Sequence, residues 1–348
     1  MAEWYPHIHK AAAFLVSLRQ QTAANPPPTR GILPPSKSAE DLGPEEWHHY
    51  WDDFWGIIGL LDGAYVASEL GDDASAQWML AEAEALRGAL RDSIVAVMGP
   101  EPAYIPNGPE DVTSSAMARG SANSLYPLTV FERTDPLILR SFDEYYARWI
   151  EPQGGGYKHI YGQLWPYGGL GLARDYVRLG RHDVLHQILG WTLTNQTLPG
   201  TFAWAEQVNP LTGGFSGGDM PHAWAAASYV TLIREMLLLR DENTLELFAG
   251  APGSWLSEGQ VVGLTGAPTM FGAVTAVTTS TLSIEDDSWQ GTLTLTISGA
   301  LPPGGYRWRL PHAPTGVSGP PGTHFQQGWL LIPASGGEVV LTYGAQDR

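Results

Sequence analysis

Apolar residues recur every three to four positions through most of the first two thirds of the chain, which is the spacing of amphipathic helices. In the first segment, Ile8, Ala12 and Leu15 follow this spacing, and the prolines at 26–28 end it because proline cannot continue a helix. The pattern predicts about eight helices in hairpin-like pairs. They cover residues 5–22, 48–70, 74–97, 121–128, 136–150, 163–179, 183–196 and 221–240.

The hydrophobic pattern changes in the last third of the chain, where it alternates with a period of two. Residues 292–298, 306–310 and 338–343 show this alternation, and Pro-Gly and Gly-Gly turns separate them. The pattern predicts antiparallel strands, which we interpret as a small β-sandwich. We therefore expect a mainly α-helical domain over residues 1–243 and a β-sandwich domain over residues 244–348.

The chain carries 36 Asp and Glu residues against 19 Lys and Arg residues, a formal net charge of −17. Binding to a phosphate backbone needs clustered Lys and Arg side chains, and none cluster here, so we expect no nucleic-acid partner. Apolar runs fall short of the ~20 residues of a membrane span, so no membrane partner is expected either. The start of the chain lacks signal-peptide features, which predicts a cytoplasmic protein, with secretion left open if the chain is a fragment.

Aromatic residues are unusually frequent, with 14 Trp and 14 Tyr in 348 residues. Most of the Trp residues lie between Trp47 and Trp224, several of them beside Gly, Pro or Asp. Each is either a large core side chain or a flat platform on which a ring can stack. Because sugar rings are such ligands and the protein is acidic, the composition favours a carbohydrate ligand.

A single glutamate, Glu206, lies in the run Phe-Ala-Trp-Ala-Glu-Gln-Val within the aromatic segment 201–224. This setting is too apolar for a freely solvated charge. One interpretation is a structural carboxylate that forms a cap or a salt bridge inside a loop. The other is a general base, whose surroundings adjust its affinity for a proton, on a loop held by helices.

The second acidic candidate is the pair Asp52 and Asp53, which Tyr50, Trp51 and Trp55 flank at the start of a predicted helix. Two acids at this position can simply interact with the helix dipole. Alternatively, one of them protonates a leaving oxygen while the other binds sugar hydroxyls. Adjacent carboxylates are costly to ionise together, which helps to keep one of them protonated.

Asp219 and His222 are further candidates in the segment that contains Glu206. Asp219 precedes Pro221 and is interpreted first as a helix cap and second as a ligand contact. His222, like His48 and His49, lacks metal-type spacing to other ligands, so no metal is expected. Without cysteine, a Gly-x-Ser-x-Gly elbow, a phosphate-binding loop or a dinucleotide fingerprint, the chain is expected to use no cofactor.

Together these motifs resemble those of glycoside hydrolases with an (α/α)6 barrel, most closely the trehalase and processing α-glucosidase I branch. Trp51-Asp52 is similar to the Trp-Asp motif that holds the acid in that branch. Glu206, with the Asn-Pro-Leu-Thr-Gly-Gly that follows it, is similar to the loop that holds the base. The resemblance implies Asp52 as the acid, Asp53 as the fallback and Glu206 as the base. It also implies a sugar subsite, to which we assign Tyr50, Trp51, Trp55, Trp165, Trp204, Asp219, His222 and Trp224.

The chain departs from the family pattern in two ways. Asp53-Phe54-Trp55 stands where the family usually has proline and asparagine. A full barrel also has twelve helices, and counting back from the last predicted helix leaves the first four missing. Either another chain supplies them, the barrel is open, or catalysis is lost.

We therefore predict an inverting glycoside hydrolase that acts on an oligosaccharide or a glucoside, with its two carboxyl groups ~6.5–9.5 Å apart. An alternative is a non-catalytic carbohydrate-binding or assembly module, whose open helical edge favours self-association. A glycoside phosphorylase or an epimerase is a third hypothesis, although a phosphorylase needs an anion pocket and the chain has only 19 Lys and Arg residues. The expected partners are a carbohydrate and either a second copy of the chain or another chain that completes the barrel.

Overall fold

The computed structural model describes residues 1–37, 43–114, 120–159, 162–285 and 288–344. The chain divides into two compact units. Unit 1 comprises Met1–Asp175 and Ile188–Ala225, and unit 2 comprises Tyr176–Gln187 and Ala226–Arg348. Helices provide most of the regular structure of unit 1, whereas strands dominate unit 2.

Seven α-helices lie in the described residues, and each overlaps a helix that the hydrophobic pattern predicts. They are α1 (Tyr5–Thr22), α2 (Tyr50–Glu69), α3 (Asp73–Met98), α4 (Pro136–Tyr145), α5 (Pro166–Leu179), α6 (His182–Thr194) and α7 (Ala223–Leu237). The predicted bounds of α1 are confirmed. The predicted helix over residues 121–128 is only a short 3₁₀ helix, Ser121–Ser124.

The starts of two helices follow local sequence signals. The Asp72 side chain accepts a hydrogen bond from the Ser75 N–H (3.1 Å) at the start of α3. The Asp135 side chain accepts one from the Leu137 N–H (2.9 Å) at the start of α4. Such caps satisfy backbone donors that have no partner within the first turn. The predicted helix over residues 136–150 changes near its end into a π-helical turn, Tyr146–Ile150.

Helix α2 packs against both α1 and α3. Gly63 on α2 lies against Met79, whose sulfur would be 2.8 Å from a Cβ added at the glycine, so a larger residue would displace that side chain. The three helices share a cluster of buried apolar side chains: Ala12, Val16, Leu60, Ala64, Met79 and Ala83. Helix α2, whose first turn carries Asp52 and Asp53, therefore belongs to a packed group of helices.

Thirteen strands lie in the described residues, two of them in unit 1 and the others in unit 2. They are β1 (Gln207–Val208), β2 (Phe215–Gly217), β3 (Leu238–Asp241), β4 (Thr244–Leu247), β5 (Val261–Thr269), β6 (Gly272–Ser280), β7 (Ser283–Glu285), β8 (Ser288–Gly299), β9 (Tyr306–Arg309), β10 (Gly316–Ser318), β11 (His324–Gln326), β12 (Trp329–Ile332) and β13 (Gly337–Tyr343).

The strands of unit 2 form two sheets. One has the order β10-β13-β8-β6-β5, with β7 paired to β8, and the other has the order β11-β12-β9-β4-β3. Neighbours are antiparallel, as predicted, except for the parallel pair β4 and β9. Alternate residues Leu293, Leu295 and Ile297 of β8 are buried, which confirms the period of two. Apolar residues of both sheets form one cluster. That the two sheets form a sandwich stays a prediction.

The last helix differs from its predicted bounds of 221–240. Helix α7 begins at Ala223 and ends at Leu237, because the residues that follow form β3 and pair with β4. The predicted division of the chain between residues 243 and 244 falls in the turn between these two strands, and the two-domain division stays a prediction. None of the helices in the described ranges combines the length and the hydrophobicity needed to cross a membrane.

Candidate active site

Backbone hydrogen bonds fix the segment that carries Glu206. The His222 N–H donates to the Trp204 carbonyl (2.8 Å), and the Glu206 N–H donates to the Asp219 carbonyl (2.9 Å). Directly after Glu206, β1 and β2 form a short hairpin. Residues 201–224 are therefore folded back on themselves, and Glu206 lies beside Asp219 although 13 positions separate them.

The same segment is joined to the residues that precede α5. Leu164 and Val208 exchange two backbone hydrogen bonds of 2.8 Å each. The next residue, Trp165, donates its N–H to the Tyr157 carbonyl (2.8 Å). These bonds bring Trp165 next to the Glu206 segment, although the two are far apart in the sequence.

The Glu206 carboxylate has a defined position. Its Oε2 accepts a hydrogen bond from the backbone N–H of Asp219 (3.0 Å). Gly218 lies directly against it, because a Cβ added there would be 2.2 Å from Oε2. Gly218 also has a φ of +73°, in the left-handed region that glycine adopts at little cost. The backbone and the carboxylate both require glycine at this position, and the half-buried Glu206 keeps an exposed portion.

Five rings form an aromatic cluster around this loop, which we define as His159, Trp165, Tyr167, His222 and Trp224. Ring centroids are 5.1 Å apart for His159 and Trp165, and 5.0 Å apart for Trp165 and Tyr167. Tyr167 lies 5.8 Å from His222 and 5.6 Å from Trp224. Trp165 and His222 are buried, whereas 58% of Trp224 is exposed. The aromatic cluster thus extends from the core to the surface and adjoins the Glu206 segment through the backbone of His222.

His222 brings a buried polar atom into the aromatic cluster. Its Nδ1 atom is buried and has no hydrogen-bond partner among the described residues. A buried polar atom without a partner destabilises the folded protein, and a ligand or a water molecule that bonds to the atom removes this cost. Asp219 is exposed and lies before the start of α7, so the expectation that it caps this helix is wrong.

Two residues assigned to the sugar subsite lie in the core instead. Tyr50 is fully buried, and its hydroxyl forms a hydrogen bond with the Ser93 hydroxyl (2.7 Å). Burial raises the pKa of the Tyr50 hydroxyl. Trp204 is also fully buried, and its Nε1–H donates to the Thr192 carbonyl (2.8 Å). Neither ring presents a face on which a sugar can stack in this structure.

Asp52 and Asp53 lie in the first turn of α2, and both bind the segment that precedes this helix. Asp53 Oδ1 accepts a hydrogen bond from the Leu33 N–H (2.8 Å), and Asp52 Oδ2 accepts one from the Ser36 hydroxyl (2.7 Å). The two carboxyls differ in exposure. Asp53 is buried, and its Oδ2 has no partner in the described part of the chain, whereas Asp52 is half-buried.

Burial sets the protonation of both acids. It raises the pKa of Asp53 well above its ordinary value, with a further contribution from the negative charge of Asp52, against the hydrogen bond from Leu33. Burial also raises the pKa of Asp52, although the Ser36 hydroxyl and the nearby His49 oppose the change. The first turn of α2 therefore favours protonated carboxyls.

Trp51 and Trp55 lie one turn apart on α2, with ring centroids 5.8 Å apart in an edge-to-face arrangement. Trp51 is half-buried, and 47% of Trp55 is exposed. Trp55 is therefore the residue near the acid pair that offers an accessible aromatic face.

The structure groups the predicted residues into two sets within unit 1. Trp165, Glu206, Asp219, His222 and Trp224 lie together. Trp51, Asp52, Asp53 and Trp55 form the other set, at the start of α2. The hydrogen bonds that hold Asp52 and Glu206 run to different segments, and the pairing of these two carboxyls stays a prediction.

Four residues that contact these sets were missed in the sequence, namely His159, Tyr167, Gly218 and Ser36. Tyr167 is central to the aromatic cluster, and the run Trp165-Pro166-Tyr167 at the start of α5 was a signal for it. Gly218 and Ser36 had no such signal, because their roles depend on contacts with Glu206 and Asp52 that form only in the folded chain. Among the described residues, no three His, Asp or Glu side chains are grouped so that they can hold a metal ion.

No protein-family model matches the sequence, and a search of curated proteins finds no match. Similar solved structures are glycosidases. The α-L-rhamnosidase from Dictyoglumus thermophilum is 12% identical over 97% of this chain and 36% of its own length, with a TM-score of 0.51. A bacterial glucoamylase complexed with acarbose is 18% identical over 54% of this chain and 33% of its own, with a TM-score of 0.37. A wild-type glycosidase is 15% identical over 58% of this chain and 55% of its own, with a TM-score of 0.41.

The likeness to the rhamnosidase concerns the fold, which combines helices with β-sheets in one chain. This chain spans about a third of the length of that rhamnosidase and about half of the length of the wild-type glycosidase. The fold is therefore similar to part of a glycosidase.

Proposed function

We propose that this chain is a glycoside hydrolase of the inverting type, with Asp52 as the general acid and Glu206 as the general base. The observation that carries the proposal is the setting of Glu206. Its carboxylate accepts a hydrogen bond from a backbone N–H, is fixed by the close approach of Gly218, and adjoins an aromatic cluster that reaches the surface. A positioned carboxylate beside exposed rings suits the activation of water against a sugar.

The surroundings of Asp52 support its role as the acid. A general acid must hold a proton near neutral pH, and burial raises the pKa of Asp52 in that direction. Asp52 also remains half-buried, so a substrate oxygen can reach it. Asp53 is enclosed and binds the Leu33 backbone, which favours a role in positioning the segment that carries Ser36. We therefore keep Asp53 only as the fallback.

The proposed subsite keeps six of the eight residues expected from the sequence. Trp165, His222, Trp224 and Asp219 would contact the sugar near Glu206, with Tyr167 added to them. Trp51 and Trp55 would contact it near Asp52. Tyr50 and Trp204 are left out, because their fully buried side chains serve the core.

In the proposed reaction, Asp52 donates its proton to the glycosidic oxygen as the bond to the anomeric carbon breaks. Glu206 removes a proton from a water molecule that attacks the opposite face of the sugar. This mechanism needs ~6.5–9.5 Å between the two carboxyl groups, against ~5–5.5 Å in a retaining site. It requires neither a metal nor an organic cofactor.

The finer family assignment belongs to the same proposal. We place the chain nearest to the trehalase and processing α-glucosidase I branch, on the Trp51-Asp52 motif and the loop that follows Glu206. In that interpretation, the helices of the chain form part of an (α/α)6 barrel, and further helices come from elsewhere.

The test is a panel of oligosaccharides and aryl glycosides assayed with the wild type, Glu206→Gln and Asp52→Asn. Each substitution removes proton transfer and should lower kcat/KM by about 10²–10⁴-fold. Glu132→Gln is the matched control, because this exposed glutamate lies outside the proposed site. Circular dichroism checks that each variant folds.

The stereochemistry gives an independent readout. Proton NMR of the first product should show an inverted anomeric carbon. A retained configuration, or full activity in both Glu206→Gln and Asp52→Asn, would refute the assignment of the pair.

A second candidate function is carbohydrate binding without cleavage. It is favoured by Trp55 and Trp224, of which 47% and 58% are exposed, because accessible rings can bind a sugar without any acid or base. In that case calorimetry would detect sugar binding without turnover. Trp224→Ala would weaken this binding, and Glu206→Gln would leave it unchanged.

A further inference from the structure

Unit 2 contains a cavity of ≈ 570 Å³, and none of the carboxylates described above lines it. This volume is within the ~300–1,000 Å³ typical of small-molecule sites. The start of α6, the end of β9 and the loops after β4 and β9 contribute to its wall. The lining residues that bear on its chemistry are His182, His186, Phe248, Trp308, Arg309 and His312.

The ionisable side chains that line this cavity are all basic. They are His182, His186, Arg309 and His312, and no Asp or Glu is found in the described lining. Arg309 is the only Lys or Arg in this described lining, whereas the whole chain has a net charge of −17 with its histidines counted as neutral. A cavity lined by basic groups attracts an anion.

The two histidines of α6 are held in place by backbone carbonyls. His186 Nε2 forms a hydrogen bond with the Gly250 carbonyl (2.9 Å), and the ring centroids of His182 and His186 are 6.1 Å apart. Burial lowers the pKa of His182. The charges of His186 and Arg309 lower it further, whereas the Ala249 carbonyl and Asp183 raise it. Asp183 is itself paired with Arg181 (3.4 Å).

Arg309 differs from its neighbouring arginine in its partners, and its guanidinium carbon lies 5.9 Å from the ring centroid of Trp329. Its neighbour on the same strand, Arg307, forms salt bridges with Glu246 (2.8 Å) and Asp241. Arg309 forms no salt bridge among the described residues, and its side chain is exposed. A Cβ added to Gly180 would lie 2.7 Å from the Arg309 guanidinium, so the absence of a side chain at Gly180 provides the space that this group occupies.

Aromatic side chains form an apolar wall of the same cavity. Phe248 and Trp308 are buried, with ring centroids 4.7 Å apart, and Trp289 lies 5.1 Å from the ring of His312. Phe248 has a φ of +52°, which is costly for a residue with a Cβ. Such strain persists where the surrounding structure enforces it, and it concentrates at ligand-binding sites.

We propose that this cavity binds a small organic carboxylate that carries a ring. The carboxylate would form a bidentate pair with the guanidinium of Arg309. The ring would pack against His312, which is half-buried and lies 5.1 Å from the ring of Trp289. Arg309 suits this role because its planar fork of donors matches the two oxygens of a carboxylate. The site does not depend on the glycoside hydrolase proposal, since it uses none of the same residues.

Calorimetry with two carboxylates tests the proposal and distinguishes the kind of ring. Benzoate represents a flat aromatic acid and glucuronate a sugar acid, with benzamide and glucose as their neutral counterparts. We expect one carboxylate to bind at least about tenfold more tightly than its neutral counterpart. Arg309→Gln should then weaken that binding by about tenfold or more, because it removes a charged hydrogen-bond donor.

Arg240→Gln is the matched control. Arg240 is an exposed arginine of unit 2 that does not line the cavity, and its loss changes the net charge equally. Binding should be unchanged in this variant. The proposal is overturned if neither carboxylate binds more tightly than its neutral counterpart, or if Arg309→Gln and Arg240→Gln weaken binding equally.

Discussion

Asp52 and Asp53 lie in the first turn of a helix, whereas Glu206 lies beside a two-stranded hairpin. Asp53 and Asp52 accept hydrogen bonds from Leu33 and Ser36, which lie 20 and 16 positions earlier in the chain. Burial raises the pKa of each acid. Glu206 instead accepts a hydrogen bond from a backbone N–H and is confined by a glycine. The two regions thus control their carboxyls by different means, desolvation in one and geometry in the other.

The difference bears on how a pair of carboxyls can divide two roles. Desolvation favours the neutral form, which can donate a proton. A backbone N–H aimed at a carboxylate oxygen fixes the position of an acceptor. Desolvation depends on all the atoms that pack around a carboxyl group, whereas the position of a carboxylate depends on a few contacts. Single substitutions should therefore affect the two regions differently.

The largest effect is expected at Gly218. Gly218→Ala would place a Cβ 2.2 Å from Glu206 Oε2, so the carboxylate must move. A displacement of about 1 Å at a reacting group can cost about 100-fold, and we expect a fall of that size in kcat/KM on the best substrate of the glycan panel. Steady-state kinetics measures it.

Gly200→Ala is the control for this prediction. Gly200 has a similar φ of +78°, against +73° at Gly218, but nothing lies within 4 Å of an added Cβ. Both variants should lose about 1 kcal/mol of stability through the left-handed backbone, and only Gly218→Ala should lose most of its activity. Equal losses of activity in the two variants would show that the strained backbone, and not a displaced Glu206 carboxylate, lowers the activity.

The next effect concerns stability and pH. The pKa of Asp53 is raised in the folded chain, so the folded protein keeps this proton where the unfolded chain, with a pKa of about 3.9, releases it. The contribution of Asp53 to stability is complete below about pH 3.9 and is lost as the pH rises through the folded pKa. Asp53→Asn removes the titrating group, so the variant does not lose this stability as the pH rises. The unfolding temperature of Asp53→Asn relative to the wild type should therefore increase between about pH 4 and about pH 8.

Asp52→Asn provides the comparison for this pH dependence. The pKa of Asp52 is also raised, but the Ser36 hydroxyl opposes the change, so the same trend should be smaller. Thermal unfolding followed by circular dichroism at several pH values measures both variants. Curves for Asp53→Asn and the wild type that run parallel would contradict the desolvation of Asp53.

The smallest effect is expected at Ser36. Its hydroxyl donates to Asp52 Oδ2 and lowers the pKa of Asp52, so Ser36→Ala should raise that pKa. If Asp52 is the general acid, the alkaline limb of the kcat/KM profile moves to higher pH, while the plateau changes by less than about tenfold. Ser36→Thr keeps a hydroxyl and should restore the profile. An unshifted limb in Ser36→Ala would separate Asp52 from the acid role.

The periodicity of the sequence was enough to predict the seven α-helices of the described residues and the strands β8, β9 and β13. Helix α1 begins and ends as expected, and β8 buries alternate residues. The sequence was less informative at α7, where the apolar pattern continues past Leu237 but the chain turns into β3. A run such as Leu-Leu-Leu-Arg fits either structure, and the pairing with β4 decides between them.

For the candidate site, the sequence identified residue types but not their exposure. Trp204 and Trp224 lie in the same aromatic segment, yet one is fully buried and the other is 58% exposed. The difference arises because Trp204 packs against α6 through its bond to Thr192, which no local pattern encodes. Tyr50 and Trp55 differ in the same way.

What the sequence determined by itself is therefore the change from a helical part to a strand-rich part, the acidic charge and the aromatic settings of Asp52, Asp53 and Glu206. The tertiary structure alone decided that Asp53 is enclosed while Asp52 is half-buried, and that Gly218 closes on Glu206. Adjacent residues on a helix point ~100° apart, so one of two neighbours faces inward. Which one it is depends on the segments that pack against the helix from elsewhere in the chain, because burial is a property of the contacts and not of the residue.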